Sequence, residues 1–332
     1  MTANGLRVLA GDVGGTKTVL SLFERVTNGW REVATTRFAS GDHTGLEGPA
    51  RAFLDMSGGG IAAAAVGVAG PVVDGVCRTT NLPWLIDARS LAESLGVARV
   101  AVINDFEATA RGLLELRPDQ LVSLQPGRRD PGGHCAVIGA GTGLGQAILI
   151  PGDGGARVLA TEGGHTDFAP RNEVEDGLLR FLRARHPDHV SVERVVSGLG
   201  LASIHAYVVE SGLAPCAPAT LARIASEDPG AVIGDLGARG HDPACAYAIG
   251  MFVSLYGAEA GNLALKTLPT GGLFVAGGIA PRMLDVLRRG AFLEAFLGKG
   301  RMRPVLEQIP VSIVTDSRVG MYGAAALASR LV

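Results

Sequence analysis

At 332 residues and 34.1 kDa, with roughly 100–200 residues to a domain, the chain reads as two domains. Its 47% hydrophobic and 19% charged residues and mean hydropathy of +0.28 fill a sizeable core and exclude a disordered chain. The 30 basic and 32 acidic residues leave no basic surplus to displace counterions from phosphates, which excludes a typical nucleic-acid binder.

The first residues, M-T-A-N-G-L-R, lack a basic region followed by an apolar one, so no secretory signal is read and a cytoplasmic setting is expected. Residues 6–10 and 19–23 read as strands joined through G-D-V-G-G-T-K, and 62–69 is an apolar run that ends in G-P. V-V-D-G-V-C suggests a hairpin, 89–95 a short helix, 100–103 a buried strand, and 106–116 a helix with Ala110, Leu113 and Leu114 on its apolar side. A second glycine-rich hairpin begins at 135–138, turns through G-A-G-T-G-L-G (139–145) and returns along 146–150. After T-E-G-G-H-T-D-F comes a helix near 173–185, and 244–267 is the longest helical pattern. Residues 273–276 read as a strand ending in G-G, Pro281 suits a helix N-terminus, 311–314 is a last strand and 319–331 a last helix. The alternation is that of an α/β protein. Three uncharged stretches (56–73, 135–152 and 243–258) are glycine-broken or short, where a span needs about 20 apolar residues, so no membrane segment is expected. The four cysteines (Cys77, Cys135, Cys216, Cys245) show no C-x-x-C spacing and read as incidental thiols of a reducing compartment.

Residues 11–18 nearly match the phosphate-loop pattern G-x-x-x-x-G-K-[ST], but Thr16 replaces the last glycine and a strand follows instead of a helix. Two readings remain. One is an ordinary Gly-Gly turn; the other is a hairpin tip whose N–H groups meet phosphate, with Asp12 holding Mg²⁺ directly or through water. At 139–145 the dinucleotide pattern G-x-G-x-x-G fails at Leu144, and again a strand follows. Two such hairpins suggest a nucleotide held between two domains.

L-A-G-D-V-G-G-T-K-T, T-N-L-P-W, V-I-N-D-F-E-A, G-A-G-T-G-L-G, E-G-G-H-T-D-F-A-P, E-R-V-V-S-G-L-G-L and F-V-A-G-G-I-A-P occur in this order between residues 9 and 281. The set closely resembles the bacterial ATP-dependent glucokinases of the hexokinase-like, actin-type ATPase superfamily. The resemblance implies an α/β, two-lobed actin-like ATPase (ribonuclease H-like) fold with the active site in the interdomain cleft. It implies a small α/β domain from residues 1–115 plus 313–332, a large α+β domain from 116–312, and a homodimer. The related repressor and sugar-kinase group carries a zinc cluster of cysteines after its E-G-G-H-like loop. Here Thr166 to Pro170 follow His165 and the next cysteine is Cys216, so zinc is not expected. No room precedes Leu6 for a DNA-binding helix-turn-helix, so the repressor version is disfavoured.

Phosphoryl transfer to a sugar needs a base at the accepting hydroxyl, a cation on the β- and γ-phosphates, and exclusion of water. Read alone, Asp105 after a buried strand is a helix cap. By the resemblance it is the catalytic base, accepting the proton of the 6-hydroxyl, and Asn104 donates to and accepts from sugar hydroxyls. Read alone, Glu193 complements a helix dipole and His165 is a loop histidine. By the resemblance Glu162, His165 and Glu193 bind hydroxyls at the other end of the ring, so sugars lacking them are rejected. The resemblance puts Gly11, Asp12, Gly14, Gly15, Thr16, Gly141, Thr142 and Gly143 on the phosphates. It brings Gly277 and Gly278 to the adenosine, with Ser197-Gly198 beside the same pocket; Lys17 is read either as reaching a phosphate or as a solvated hairpin lysine, and is left out of the site. The expected activity is transfer of the γ-phosphoryl of ATP to the 6-hydroxyl of D-glucose, with Mg²⁺ and without zinc. The alternatives are a kinase for another hexose or another donor, and a catalytically silent sugar sensor on the same fold. Asp12, Asp105, Glu162 and Glu193 together argue against silence.

Overall fold

In the computed structural model, which describes residues 5–27, 29–79, 82–152 and 156–332, the chain's own contacts divide it into two units. One holds residues up to 118, 156–160 and 318–332; the other holds 119–155 and 161–317. The Thr80-Asn81 part of T-N-L-P-W lies outside the described residues.

The first unit is built on β1 (Arg7–Val13), β2 (Lys17–Val26), β3 (Gly29–Ala39), β4 (Ala63–Val68) and β8 (Val100–Asn104), in the sheet order β3-β2-β1-β4-β8. β5 (Val72–Val73), β6 (Val76–Arg78) and β7 (Leu85–Asp87) form a small separate sheet. β1, β4 and β8 are parallel, whereas β2 pairs antiparallel with β1 and β3 antiparallel with β2. Side chains alternate across a strand, and β1 is buried on both faces. Leu9 and Val13 enter one core with α1 (Glu47–Ser57) and α2 (Ala88–Leu95). Val8 and Ala10 enter another with the C-terminal helix Val319–Ser329. α3 (Asp105–Gly112) is shorter than the expected 106–116. A 3-10 turn, Leu113–Glu115, follows it, and Leu114, expected on the apolar side, is 50% exposed.

The second unit repeats the device. β9 (Leu121–Gln125), β10 (Cys135–Ala140), β11 (Leu144–Ile150), β13 (Gly272–Ala276) and β14 (Val311–Val314) are its strands; β12 (Arg157–Thr161) falls in the first unit up to Ala160. Its sheet runs β11-β10-β13-β14-β9; β10, β13 and β14 are parallel and the flanking strands antiparallel. Against it pack α4 (Glu173–Arg183), α5 (Gly198–Glu210), α6 (Pro218–Ser226), α7 (Pro229–Ala238), α8 (Pro243–Thr267), α9 (Leu284–Leu287), α10 (Ala291–Leu297) and α11 (Arg303–Leu306) around one large core. A boundary at 313 would cut β14, which pairs with β13 and β9; the contact division instead falls between Ser317 and Arg318. α8 is longer than the apolar stretch 243–258 and, by length and composition, could cross a membrane. Most of it, 72% of its most apolar window, is buried inside the protein, as a core helix is.

Candidate active site

The parallel strands β1, β4 and β8 end on one edge of the first sheet, the edge at which such sheets present ligands. Register sets Asp12 opposite Gly67, and Val68 opposite Asn104. Asn104, not Asp105, caps α3. Its side-chain oxygen accepts the N–H groups of Phe106 (2.8 Å) and Glu107 (3.1 Å), and its amide donates to the Gly70 carbonyl (3.2 Å). With both lone pairs engaged, Asn104 keeps one N–H to donate and cannot also accept from a sugar hydroxyl. Asp105 is the first residue of α3, and its Oδ1 accepts the same Phe106 N–H (2.8 Å). A Cβ on Gly67 would lie 3.3 Å from Asp105 Cα and 3.2 Å from Ala108 Cβ. With strands about 4.8 Å apart, Asp12 and the start of α3 flank the gap that Gly67 leaves.

The first hairpin's tip is braced from β3's end. Ser40 donates through Oγ to the Gly14 carbonyl (2.9 Å) and through N–H to that of Thr16 (3.1 Å), and its Oγ also meets Thr18 Oγ1 (3.0 Å). The Gly14 N–H is spent on the Lys17 carbonyl (2.9 Å). Those of Gly15 and Thr16 have no partner among the described residues. Gly11 is not at the tip: it is buried in β1, where a Cβ would strike Val66 at 2.7 Å, so packing accounts for it. Solvent reaches Asp12, yet the protein around it makes desolvation the leading influence and raises its carboxyl pKa, with Lys17 opposing. Lys17, left out of the site on sequence, thus acts on the neighbouring carboxylate.

In the second unit the Gly141 N–H donates to the Gly143 carbonyl (2.8 Å), and the N–H groups of Thr142 and Gly143 have no partner among the described residues. Two supports hold this tip. Gly198, at the start of α5, donates to the Gly141 carbonyl (2.8 Å). Glu193, in the 3-10 turn Val192–Arg194, accepts the Leu144 N–H at Oε2 (2.8 Å). Ser197 caps α5 by accepting from Gly200 N–H (3.0 Å) and donates to the Glu193 carbonyl (2.7 Å), so turn and helix are one piece. The turn Gly163–His165 sits on the same strand end, since Gly164 packs against the Leu144 carbonyl. Thr166 accepts the Val192 N–H (2.8 Å) and ties it to the Glu193 turn. Glu162, His165 and Glu193 therefore gather around Leu144, the first two exposed and Glu193 half-buried.

Gly277 has φ +82° and a Cβ there would lie 2.6 Å from the Ala140 carbonyl, so it is a packing glycine; Gly278 faces open space. Beneath both, the buried Tyr256 hydroxyl accepts the Ala140 N–H (3.0 Å), and burial pushes its pKa up. Gln146 donates to the buried Glu259 carboxylate (2.8 Å) directly under the Gly163 turn. Gly67, Ser40, Gln146, Glu259 and Tyr256 escape sequence reading. Each acts through cross-strand register or a long-range hydrogen bond, which leaves no local pattern.

A protein-family model described as Glucokinase matches residues 9–331. The chain is 43% identical to a glucokinase of Nostoc sp., over 98% of this chain and 99% of that protein. It is similar to the crystal structure of a glucokinase from an Antarctic psychrotroph, with TM-score 0.81, 32% identity and coverage of 98% and 99% of the two chains. A structure of a ROK family glucokinase from Streptomyces griseus in complex with glucose and AMPPNP shares the fold, with TM-score 0.68 at 22% identity and coverage of 98% and 99%.

Proposed function

Because the chain belongs to the glucokinase family and has its actin-like ATPase fold, we propose that it transfers the γ-phosphoryl group of ATP to the 6-hydroxyl of D-glucose, giving glucose 6-phosphate and ADP. One observation carries the residue assignment. Asn104 already caps α3, so capping does not account for the carboxylate that follows it, and Asp105 stands at the strand edge that also bears Asp12.

In this reading Asp105 accepts the proton of the 6-hydroxyl as that oxygen attacks the γ-phosphorus, and Asn104 donates its remaining N–H to a sugar oxygen. Glu162, His165 and Glu193 take the remaining hydroxyls. Glu193 does so through Oε1, because Oε2 is bound to Leu144, so the residue that reads the sugar also holds the second hairpin. The N–H groups of Gly15 and Thr16, and of Thr142 and Gly143, are the donors for phosphate oxygens; Gly278 leaves room for the adenosine. A solvent-reached carboxylate with a raised pKa, beside unpartnered N–H donors, suits a cation that keeps waters and phosphate oxygens as its other ligands. Mg²⁺ held by Asp12 would supply charge neutralisation on the β- and γ-phosphates. The family's homodimer belongs to the same reading and is checked by sedimentation.

The test is Asp105→Asn, with sugars and phosphoryl donors varied in a coupled assay. We expect kcat to fall by about 10²–10⁴, the usual worth of a general base. Thermal stability should hold, because the cap is intact, and glucose affinity should change far less than kcat. A near-normal kcat removes Asp105 from the base role; a better substrate than glucose, at equal donor, removes glucose.

A further inference from the structure

Two of the chain's four cysteines and one of its seven histidines converge on a single carboxylate within the second unit. His205 comes from α5, Cys216 from the link between α5 and α6, and Asp242 and Cys245 from the cap and first turn of α8. One ligand atom each from His205, Asp242 and Cys245 lie within 4.8 Å of one another, and all three residues are buried. Cys216 Sγ stands 3.6 Å from His205 Nε2 and also hydrogen-bonds to Asp242.

We propose that His205, Cys216, Asp242 and Cys245 form a structural site for one Zn²⁺-type divalent ion, closed by four protein ligands. Two thiolates, an imidazole and a carboxylate are the donor set of a borderline-soft ion with tetrahedral preference, and they exclude Mg²⁺ or Ca²⁺ as the natural occupant. With bonds of about 2.0–2.3 Å, tetrahedral donor atoms lie about 3.3–3.8 Å apart. The His205, Asp242 and Cys245 atoms, within 4.8 Å of one another, reach that by closing about 1–1.5 Å, and Cys216, 3.6 Å from His205 Nε2 but outside that group of three, turns in from the link. The carboxylate is oriented for the task. Ala217 N–H and Cys245 N–H each donate to a different oxygen of Asp242 (3.0 Å both), and the Thr220 side chain hydrogen-bonds to the same carboxylate, which leaves a lone pair for the ion once the thiol protons have gone. Cys216 is only half-buried, which supplies an entry path. Asp242 needs only the Cys245 N–H to be a helix cap; capping does not call for a histidine and a second thiol turned toward it.

Binding is balanced by two protons. Burial first, and Asp242 second, push the Cys216 thiol up to about 11 and the Cys245 thiol up to about 12, so each enters as S–H. The ion forms two Zn–S bonds as both S–H bonds break and the protons leave to solvent; neither metal nor sulfur changes oxidation state. The sequence expectation of no zinc rests on spacing along the chain, whereas these ligands are neighbours only after α5 and α8 pack. The ion would staple the two helices that serve the second hairpin. α5 carries Gly198 to the Gly141 carbonyl, and α8 carries Tyr256 to Ala140.

The experiment uses the full, untagged chain and reads metal rather than turnover, so it is independent of the glucokinase reading. Purified without chelator, the protein should carry one zinc per chain, and Asp12→Asn should carry it equally. Removal of the ion should lower Tm by on the order of 5 °C, the mass-action effect of a ligand far above its Kd. Co²⁺ in its place should give a thiolate charge-transfer band and intense visible bands of tetrahedral cobalt. Cys216→Ser, on the half-exposed link, should weaken that band with far-ultraviolet dichroism unchanged. In the wild type, zinc should slow alkylation of Cys216 at least ten-fold relative to chelator. Protein that takes up neither zinc nor Co²⁺ at one per chain would falsify the site, as would a charge-transfer band untouched by Cys216→Ser or equal alkylation rates in zinc and chelator.

Discussion

The two glycine hairpins are built alike and armed differently. In each, the first glycine of the tip spends its N–H inside the turn and the next two N–H groups have no partner among the described residues. The last paired residues are Val13/Thr18 in one and Ala140/Leu144 in the other. One step back along the strand, the first hairpin has Asp12 paired with Val19, and the second has Gly139 paired with Gly145. The first therefore adds a charge to its donors, and the second does not. Their supports differ too. Ser40, a neutral hydroxyl, holds the first tip; Glu193, a carboxylate with one oxygen left over, holds the second. On the proposed function, the comparison teaches that a phosphate-facing turn can be tied to a cation or to the acceptor substrate, one duty to each hairpin.

Asp12→Asn breaks the difference most severely. Removal of one preorganised charge on the transferring phosphates should reduce kcat/KM by on the order of 10²–10³, with a raised Mg²⁺ requirement. Stability should move the other way. A carboxylate whose folded pKa lies above its unfolded value costs the fold free energy at neutral pH, and that cost fades as pH falls through the folded pKa and is gone below the unfolded one. Since Asp12 is raised from 3.8, the asparagine variant should melt above the wild type at pH 7 without nucleotide, with the gain vanishing toward pH 3. A variant that melts lower at pH 7 would show that Asp12 is compensated by the fold itself.

Gly143→Ala against Gly141→Ala sharpens the division of duties. A Cβ at Gly143 would lie 2.5 Å from Glu193 Oε2, whereas none of the described atoms lies within 4 Å of one at Gly141. The first substitution should displace Glu193 and raise KM for glucose about ten-fold, the worth of roughly one good hydrogen bond, with a smaller effect on ATP. Gly141→Ala should leave glucose nearly untouched. Equal glucose effects in initial-rate kinetics would separate Glu193 from the sugar.

Apolar runs bounded by glycine made both hairpins, β13 and the heart of α8 legible, because a buried strand or core helix must be apolar along most of its length. β3 was not legible: it lies at a sheet edge, alternates exposed residues such as Arg31, Thr35 and Arg37 with half-buried ones, and shows its nature only by pairing with β2. Asn104 and Asp105 are both good caps, and the start of α3, shifted by one residue, decides which of them serves. Gly67 sits in the run A-A-A-V-G-V, where nothing local distinguishes a packing glycine from one that clears space beside Asp105. The proposed cysteine site is not legible for the same reason, since 216 and 245 are far apart in the chain. Residue types for the site were visible through ordered motifs; the supports that aim them lie in contacts between distant segments.

Ser40→Ala is the mildest test and the most specific. It removes the hydroxyl that the Gly14 carbonyl accepts from and that Thr18 Oγ1 meets, in a place where Ser40 and Thr18 are fully buried. The Ser40 N–H to the Thr16 carbonyl survives, so the tip should loosen without unfolding. Leaving buried partners short of a hydrogen bond costs about 1–3 kcal/mol, which for a chain of this size lowers Tm by roughly 2–4 °C per kcal/mol. The functional effect should fall on one substrate only. Because Ser40 braces the first tip and Glu193 the second, KM for ATP should rise several-fold while KM for glucose stays constant. Ser40→Thr, which keeps the hydroxyl, should recover most of the ATP affinity if its added methyl fits. If KM for ATP stays at the wild-type value while Tm falls, the first tip is held for stability alone and its N–H groups are not what the nucleotide uses.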